Sequence, residues 1–177
     1  MTGAVMRMKG RCVVLGDNIG NDGHLMSLDF ALARETDPQV LRREIFRGLD
    51  DTIAARLRPG DLIVTGRRFA QGNPHIQGFL GLKGAGIGLL TESIPSASYR
   101  LAINAGVPFL PSCPGLPSRL AEGDVLEVDF DTGAVVNATR DESFRFAPLP
   151  GHARDIIKAG GWQPMFEARL AATRKEQ

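Results

Sequence analysis

A chain of 177 residues is long enough for one ordinary domain with a real core. Its 43% hydrophobic and 23% charged residues sit near the globular average and speak against a disordered or membrane-embedded class. Lys and Arg number 21 against 20 Asp and Glu, spread along the chain, so nucleic acid and anionic membrane surfaces are not expected partners.

The N-terminal "MTGAVMRMKGRCVVLG" has no apolar run of signal-peptide or membrane-span length, and Cys12 and Cys113 form neither a disulfide framework nor a metal-site spacing. A reducing, cytoplasmic setting is expected. Gly10 to Leu15 reads as a first strand, followed by the turn cluster "GDNIGNDG", in which Gly and Asn supply permissive backbone angles. "DPQVLRREIFRGLDDTIAARL" begins with Asp37 as an N-cap before Pro38. It then places Val40, Leu41, Ile45, Phe46 and Leu49 at helical spacing, predicting an amphipathic helix or helix pair. "RPGDLIVTG" is a turn and a buried strand, and "FLGLKGAG" is a helix ending at Gly84 and Gly86.

"IGLLTES" predicts a third strand, "SASYRLAINAG" a helix ending in Gly106, and "VPFLP" a fourth strand. Alternating strands and helices argue for an α/β fold with a largely parallel sheet. In "EGDVLEVDFDTGAVVNA", Val125, Glu127 and Asp129 alternate against Leu126, Val128 and Phe130 before "DTG", which predicts an antiparallel hairpin. "HARDIIKAGGWQPMFEARLAATRKEQ" reads as a helix broken at Gly160-Gly161 and a second helix fading into a charged tail.

The order of these motifs resembles the 3-isopropylmalate dehydratase small-subunit family, which is similar to the swivelling domain of aconitase. "GDNIGND" stands where that family has a Gly-Asp-x-x-x-Thr-Asp loop. "RPGDLIVTGRRFAQG" stands for its Pro-Gly-Asp strand running into Asn-Phe-Gly-x-Gly, "TESIPSASYRLAINAGVPFLP" for its Glu-Ser-Phe-Ala run ending in Asn-x-Gly-Leu-Pro, and "EGDVLEVDFDTGAV" for the closing hairpin. "IIKAGGWQPMFEARL" looks like its C-terminal helix pair. The resemblance implies a three-layer β/β/α swivel fold with a mixed, mainly parallel sheet. It implies one domain over residues 1–177, with a core over about 10–150 and a helical segment over 151–177.

It also implies a partner: a large subunit carrying a 4Fe-4S cluster, with which the small subunit dehydrates and rehydrates a hydroxy di- or tricarboxylate. Clusters need three or four thiolates, so with two cysteines this chain is expected to hold no cofactor of its own. The isolated chain forming a homodimer stays open.

The family's swivel loop reads Gly-Ser-Ser-Arg-Glu, its first serine acting as base and its arginine clamping a substrate carboxylate. Here the aligned residues are Gly72, Asn73, Pro74, His75 and Ile76. The amide of Asn73 is not a usable base but can orient a substrate. An imidazole binds a carboxylate when protonated and accepts a proton when neutral, so His75 stands for the arginine, the base or neither. "GNPH" also fits a plain surface turn.

Asp17 and Asp22 survive from the family's first loop, where they fit Asx-turns as well as chemistry, and His24 is placed to face the cleft. Gly20 and Asn21 stand where a second acid and a threonine are common. The expected substrate contacts are Gly72, Asn73, Pro74, His75, Arg68, Asp22 and His24, with Asn73 and His75 as the catalytic candidates and no metal ligand. Arg67 and Arg68 fit a carboxylate clamp or a solvated strand end. Ser93, Ser96 and Ser98 fit helix capping, Glu92 support of the loop, and His152 a helix cap. Trp162 and Phe166 fit packing of the last helix or a partner contact. "LMSLDFALA" lacks the arginine or tyrosine-leucine pattern by which family members choose substrate side groups, which leaves the substrate open. Two other functions fit the altered loop: a catalytically silent swivel paralogue acting in interactions, and a stand-alone carboxylate-binding domain using "GNPH" as an anion nest.

Overall fold

The computed structural model describes residues 6–175. The start of the N-terminal stretch (1–5) and the end of the charged tail (176–177) lie outside the described residues. Strand β1 (Arg7–Leu15) is followed by the short helices α1 (Leu28–Leu32), α2 (Pro38–Leu41) and α3 (Ile53–Arg56). Next come β2 (Leu62–Thr65), α4 (Gln77–Ala85), β3 (Gly88–Thr91), α5 (Ser96–Ala105) and β4 (Phe109–Leu110). Strands β5 (Val125–Asp129), β6 (Ala134–Asn137) and β7 (Glu142–Arg145) and helices α6 (Gly151–Lys158) and α7 (Trp162–Lys175) complete the chain.

All seven strands join one sheet in the order β4-β3-β2-β1-β5-β6-β7, and β1 is where its character changes. Residues Cys12 to Leu15 pair in parallel with β2, whereas Arg7 to Arg11 pair antiparallel with β5. The parallel strands β2 and β3 are buried along their whole length, as strands covered on both faces must be. The antiparallel β5 alternates buried and exposed positions, as the hairpin pattern predicts.

Two features exceed the expectation. β1 starts at Arg7, three residues before Gly10; Met8 packs on the core opposite Val128, while the alternate, solvent-facing positions carry charge pairs across the ladder. Arg7 lies opposite Asp129 and Lys9 opposite Glu127, with ion pairs of 2.9 Å and 2.7 Å. β7 adds a third antiparallel strand beyond the expected hairpin. With it, the sheet has three parallel and three antiparallel pairings.

Of the helix or helix pair expected over 37–57, two short helices form, α2 and α3, with turns between them. Asp37 caps as predicted, its Oδ1 accepting the Gln39 N–H at 2.8 Å, but α2 ends at Leu41 and the chain continues in turns. Phe46 takes the left-handed φ of 63°. Its N–H donates to Leu25 O at 2.9 Å, and its ring packs 6.5 Å from that of Phe69. This tertiary bond and burial outweigh helical continuity. Leu41, Ile45 and Phe46 enter the core as expected, whereas Val40 and Leu49 stay on the surface.

The α2 segment sits close on α4 because α4 presents glycine where they meet. A Cβ at Gly81 would lie 2.5 Å from Ile45 Cγ2, and one at Gly84 would lie 2.1 Å from the Pro38 carbonyl oxygen. Gly78, on the same face, would meet Leu25 at 2.5 Å. α4 and α5 end at Gly86 and Gly106, and α6 gives way to α7 at Gly160-Gly161, as read from the sequence.

Candidate active site at the carboxyl ends of β1 and β2

In open α/β sheets, ligands bind beyond the carboxyl ends of the strands. Here the loops leaving β1 and β2 extend the parallel pairing past the sheet. Asn18 N–H donates to Arg67 O at 2.8 Å, Gln71 N–H to Ile19 O at 3.1 Å, and Asn21 N–H to Gln71 O at 2.8 Å. Asp17 locks the base of this arrangement. Its Oδ1 accepts the Arg67 N–H at 2.8 Å, while its Oδ2 accepts Arg67 Nε and Nη2 at 3.0 Å and 2.9 Å. The Arg67 backbone N–H and then its guanidinium hold the Asp17 carboxyl below the usual carboxylate range. Asp17 and Arg67 are thereby committed to structure.

Five residues on, the same loop delivers Asp22 to His75, with Nδ1 and Oδ1 2.7 Å apart. Both side chains are partly exposed. The fully buried Asn21 fastens the His75 backbone, its Nδ2 donating to His75 O at 3.2 Å. A carboxylate only accepts, so Nδ1 carries the hydrogen and the neutral ring keeps its lone pair on Nε2. This is the orientation of an imidazole base steadied by an acid. Gly72 makes the turn that brings it there, with φ of 93°, a conformation side chains rarely adopt. Asn73 and Pro74 are exposed on the rim. Helix α4 starts two residues after His75, and no side chain caps it.

The remaining expected residues are anchored to the same pair of loops. His24 is exposed, and its Nδ1 accepts the Gly20 N–H at 3.0 Å, which leaves its Nε2 as the donor. Arg68 is exposed and left-handed at φ 59°, its Nε donating to Asn18 Oδ1 at 2.6 Å. Asn18 was not singled out by the sequence. Its signal was the density of Asn and Gly in "GDNIGND", and it takes φ of 61°.

Several expectations are corrected. Helix α5 has no side-chain cap. Ser93 Oγ instead accepts the Arg68 N–H at 2.9 Å, and buried Ser98 donates to Ala70 O at 2.5 Å. These serines hold the loop after β2, because its left-handed residues leave backbone groups without ladder partners. Glu92 supports a different loop, its Oε1 accepting Gly115 N–H at 2.6 Å. His152 lies inside α6, exposed, and does not cap it. Trp162 and Phe166 stack on each other, ring centroids 5.9 Å apart, and remain half exposed.

A cavity of about 490 Å³ lies at the opposite pole, lined by Pro59, Lys83, Gly86, Gly106 and Gly160 among others. Lys83 Nζ donates there to Gly160 O at 2.5 Å, just past the end of α6. The carbonyl ends of α4, α5 and α6 converge there, an environment that suits the Lys83 ammonium.

No family model matches the chain. It is 35% identical over 165 residues to the isopropylmalate/citramalate isomerase small subunit of Methanocaldococcus jannaschii, covering 93% of this chain and 96% of that one. It is 36% identical over 157 residues to the 3-isopropylmalate dehydratase small subunit of Pyrobaculum calidifontis, covering 88% of this chain and 94% of the relative. The chain belongs to the 3-isopropylmalate dehydratase small-subunit family. A crystal structure of the Methanocaldococcus jannaschii 3-isopropylmalate dehydratase superposes with a TM-score of 0.86, at 26% identity over 97% of this chain and all of that one. The swivel-type α/β fold expected from the sequence is thus that of the dehydratase small subunit.

Among the described residues, no group of three or more His, Cys, Asp or Glu is arranged to hold a metal. The thiols do not suit a cluster either. Cys12 and Cys113 are both buried, and burial pushes them up to about 11 and about 12 respectively. Alkylation of the native protein near pH 8 is therefore expected to leave both unmodified while denaturant exposes both, as intact-mass measurement would show. Rapid native labelling of either would contradict this burial. No helix among the described residues is long and apolar enough to cross a membrane.

Proposed function

We propose that this chain works as the small subunit of an aconitase-type hydro-lyase, removing and adding water on a small hydroxy di- or tricarboxylate together with an iron-sulfur large subunit in the cytoplasm. Membership of the dehydratase small-subunit family supports the reaction class. The observation that carries the site assignment is the 2.7 Å contact of Asp22 with His75, at the place where the family resemblance puts the base and the clamp.

His75 Nε2 takes the proton from the carbon next to a substrate carboxylate, and Asp22 steadies the imidazolium that forms. Returning the same proton to the same carbon completes the hydration direction. The Asn73 amide hydrogen-bonds a substrate oxygen, the turn at Gly72 and Pro74 sets the approach, and His24 offers a second donor from the facing loop. In the family, the large subunit's cluster supplies the Lewis acid for the departing hydroxyl. The buried thiols of this chain do not fit that group, so the chain's share is proton transfer and positioning.

The rim residues Gly72, Asn73 and Pro74 are exposed, as expected of a half-site completed by a partner. Co-expression with an iron-sulfur large subunit of the family, followed by anaerobic hydration assays over unsaturated dicarboxylates, is expected to give turnover. An intact, cluster-loaded complex without turnover on the whole panel would overturn the hydro-lyase reading in favour of a silent paralogue.

A further inference from the structure

The two site loops contain four permanently charged residues: Asp17, Asp22, Arg67 and Arg68. Asp17 neutralises Arg67 through backbone and guanidinium bonds, and Asp22 is turned to His75. With Nδ1–H on Asp22 and only a lone pair on Nε2, the neutral ring offers a second carboxylate no donor, so as the base His75 is not also the clamp. Arg68 remains, and it forms no ion pair among the described residues.

Its guanidinium is nonetheless not loose. Nε is fixed on Asn18 Oδ1 at 2.6 Å, and the backbone N–H is fixed on Ser93 Oγ at 2.9 Å. The residue is held at φ 59°, which costs a non-glycine residue about 1 kcal/mol or more. Anchoring through Nε leaves the two terminal nitrogens, with their parallel N–H donors, for a carboxylate. Neutral Asn18 orients the cation without quenching it, in contrast to the pairing of Arg67 with Asp17 one residue away.

We propose that Arg68 is the substrate-carboxylate clamp of this protein, moved from the swivel-loop arginine position to the start of the loop. The inference rests on the hydro-lyase reading for its substrate, but not for its chemistry.

Two measurements test it. In the reconstituted complex, Arg68→Met is expected to raise KM about 10- to 100-fold with kcat changed less than about threefold, as loss of a charge-assisted fork requires. Arg68→Lys is expected to recover only part of the loss, because an ammonium cannot grip both oxygens at once. Unchanged thermal unfolding of both variants separates binding from folding. In the full chain alone, calorimetric titration with tricarballylate is expected to show binding that Arg68→Met weakens at least about tenfold.

Arg68-dependent tricarballylate binding with an inactive complex would defeat the hydro-lyase reading and leave this inference standing. An active complex in which Arg68→Met keeps KM within about twofold would defeat the clamp and leave the hydro-lyase. Failure of the wild-type chain to bind tricarballylate, with KM untouched by the variant, also overturns the clamp.

Discussion

Replacing His75 by alanine in the assembled complex is expected to lower kcat by about two to four orders of magnitude, the usual contribution of a positioned general base, with a much smaller change in KM. His75 makes one side-chain contact of consequence, with Asp22, and its backbone is held independently by Asn21, so truncating the ring should spare the fold. Asp22→Asn tests the orientation separately. An amide in place of the carboxylate can donate to Nδ1, which moves the hydrogen to Nε2 and removes the lone pair that would take the substrate proton. That variant is expected to lose about 100-fold or more in kcat while binding substrate normally. Exchange of the substrate's α-hydrogen with deuterated solvent gives the more direct measurement, since it reports the proton step without the loss of hydroxyl. If His75→Ala exchanges and turns over within about twofold of wild type, the base lies elsewhere and the Asp22 contact is structural.

The sequence carried the parallel half of the fold because burial on both faces writes itself into composition: "LIVT" and "GLLT" have no solvated face to hide the signal. The start of β1 was hidden for the converse reason. Arg7, Lys9 and Arg11 look like a solvated run until Asp129 and Glu127 are known to lie opposite two of them. Phe46 shows the limit of periodicity. Its spacing suits a helix face and it is indeed buried, but a hydrogen bond to Leu25 turns its backbone left-handed. At the site, Asp22 and His75 were each visible as candidates, whereas their contact spans 53 positions and depends on the loops being zipped by backbone bonds that no side-chain pattern announces. Arg68 was legible as a clamp, but more readily as a solvated arginine at a strand end. The clamp proposal leans on the pairing of Arg67 with Asp17, a property of the fold rather than of residue type.

The largest expected stability loss away from the site comes from Gly84→Leu. A Cβ there would sit 2.1 Å from the Pro38 carbonyl oxygen and 2.7 Å from its carbon, and a backbone target cannot rotate away as a side chain would. Leucine favours the helix by up to about 1 kcal/mol over glycine, but overpacking against backbone costs about 2–3 kcal/mol before the rest of the side chain is placed. The balance is a net loss of about 1–2 kcal/mol, and for a chain of this size it lowers Tm by roughly 2–8 °C. Gly16→Ala is the informative contrast. Its Cβ would meet nothing within 4 Å and its φ is not positive, so lower unfolded-state entropy should raise stability by about 0.4–1 kcal/mol. The Gly84 effect should also reach the site, because the segment displaced from α4 carries Phe46, bonded to Leu25, and Gly48, where a Cβ would meet Gly23 O at 1.7 Å. Those contacts buttress the residues immediately after Asp22. Gly84→Leu is therefore expected to reduce kcat at temperatures where the protein is still folded, and to reduce the protection of the Leu25 region from hydrogen exchange. A Gly84→Leu chain that unfolds at the wild-type temperature would show that α2 and α4 are not packed backbone to backbone.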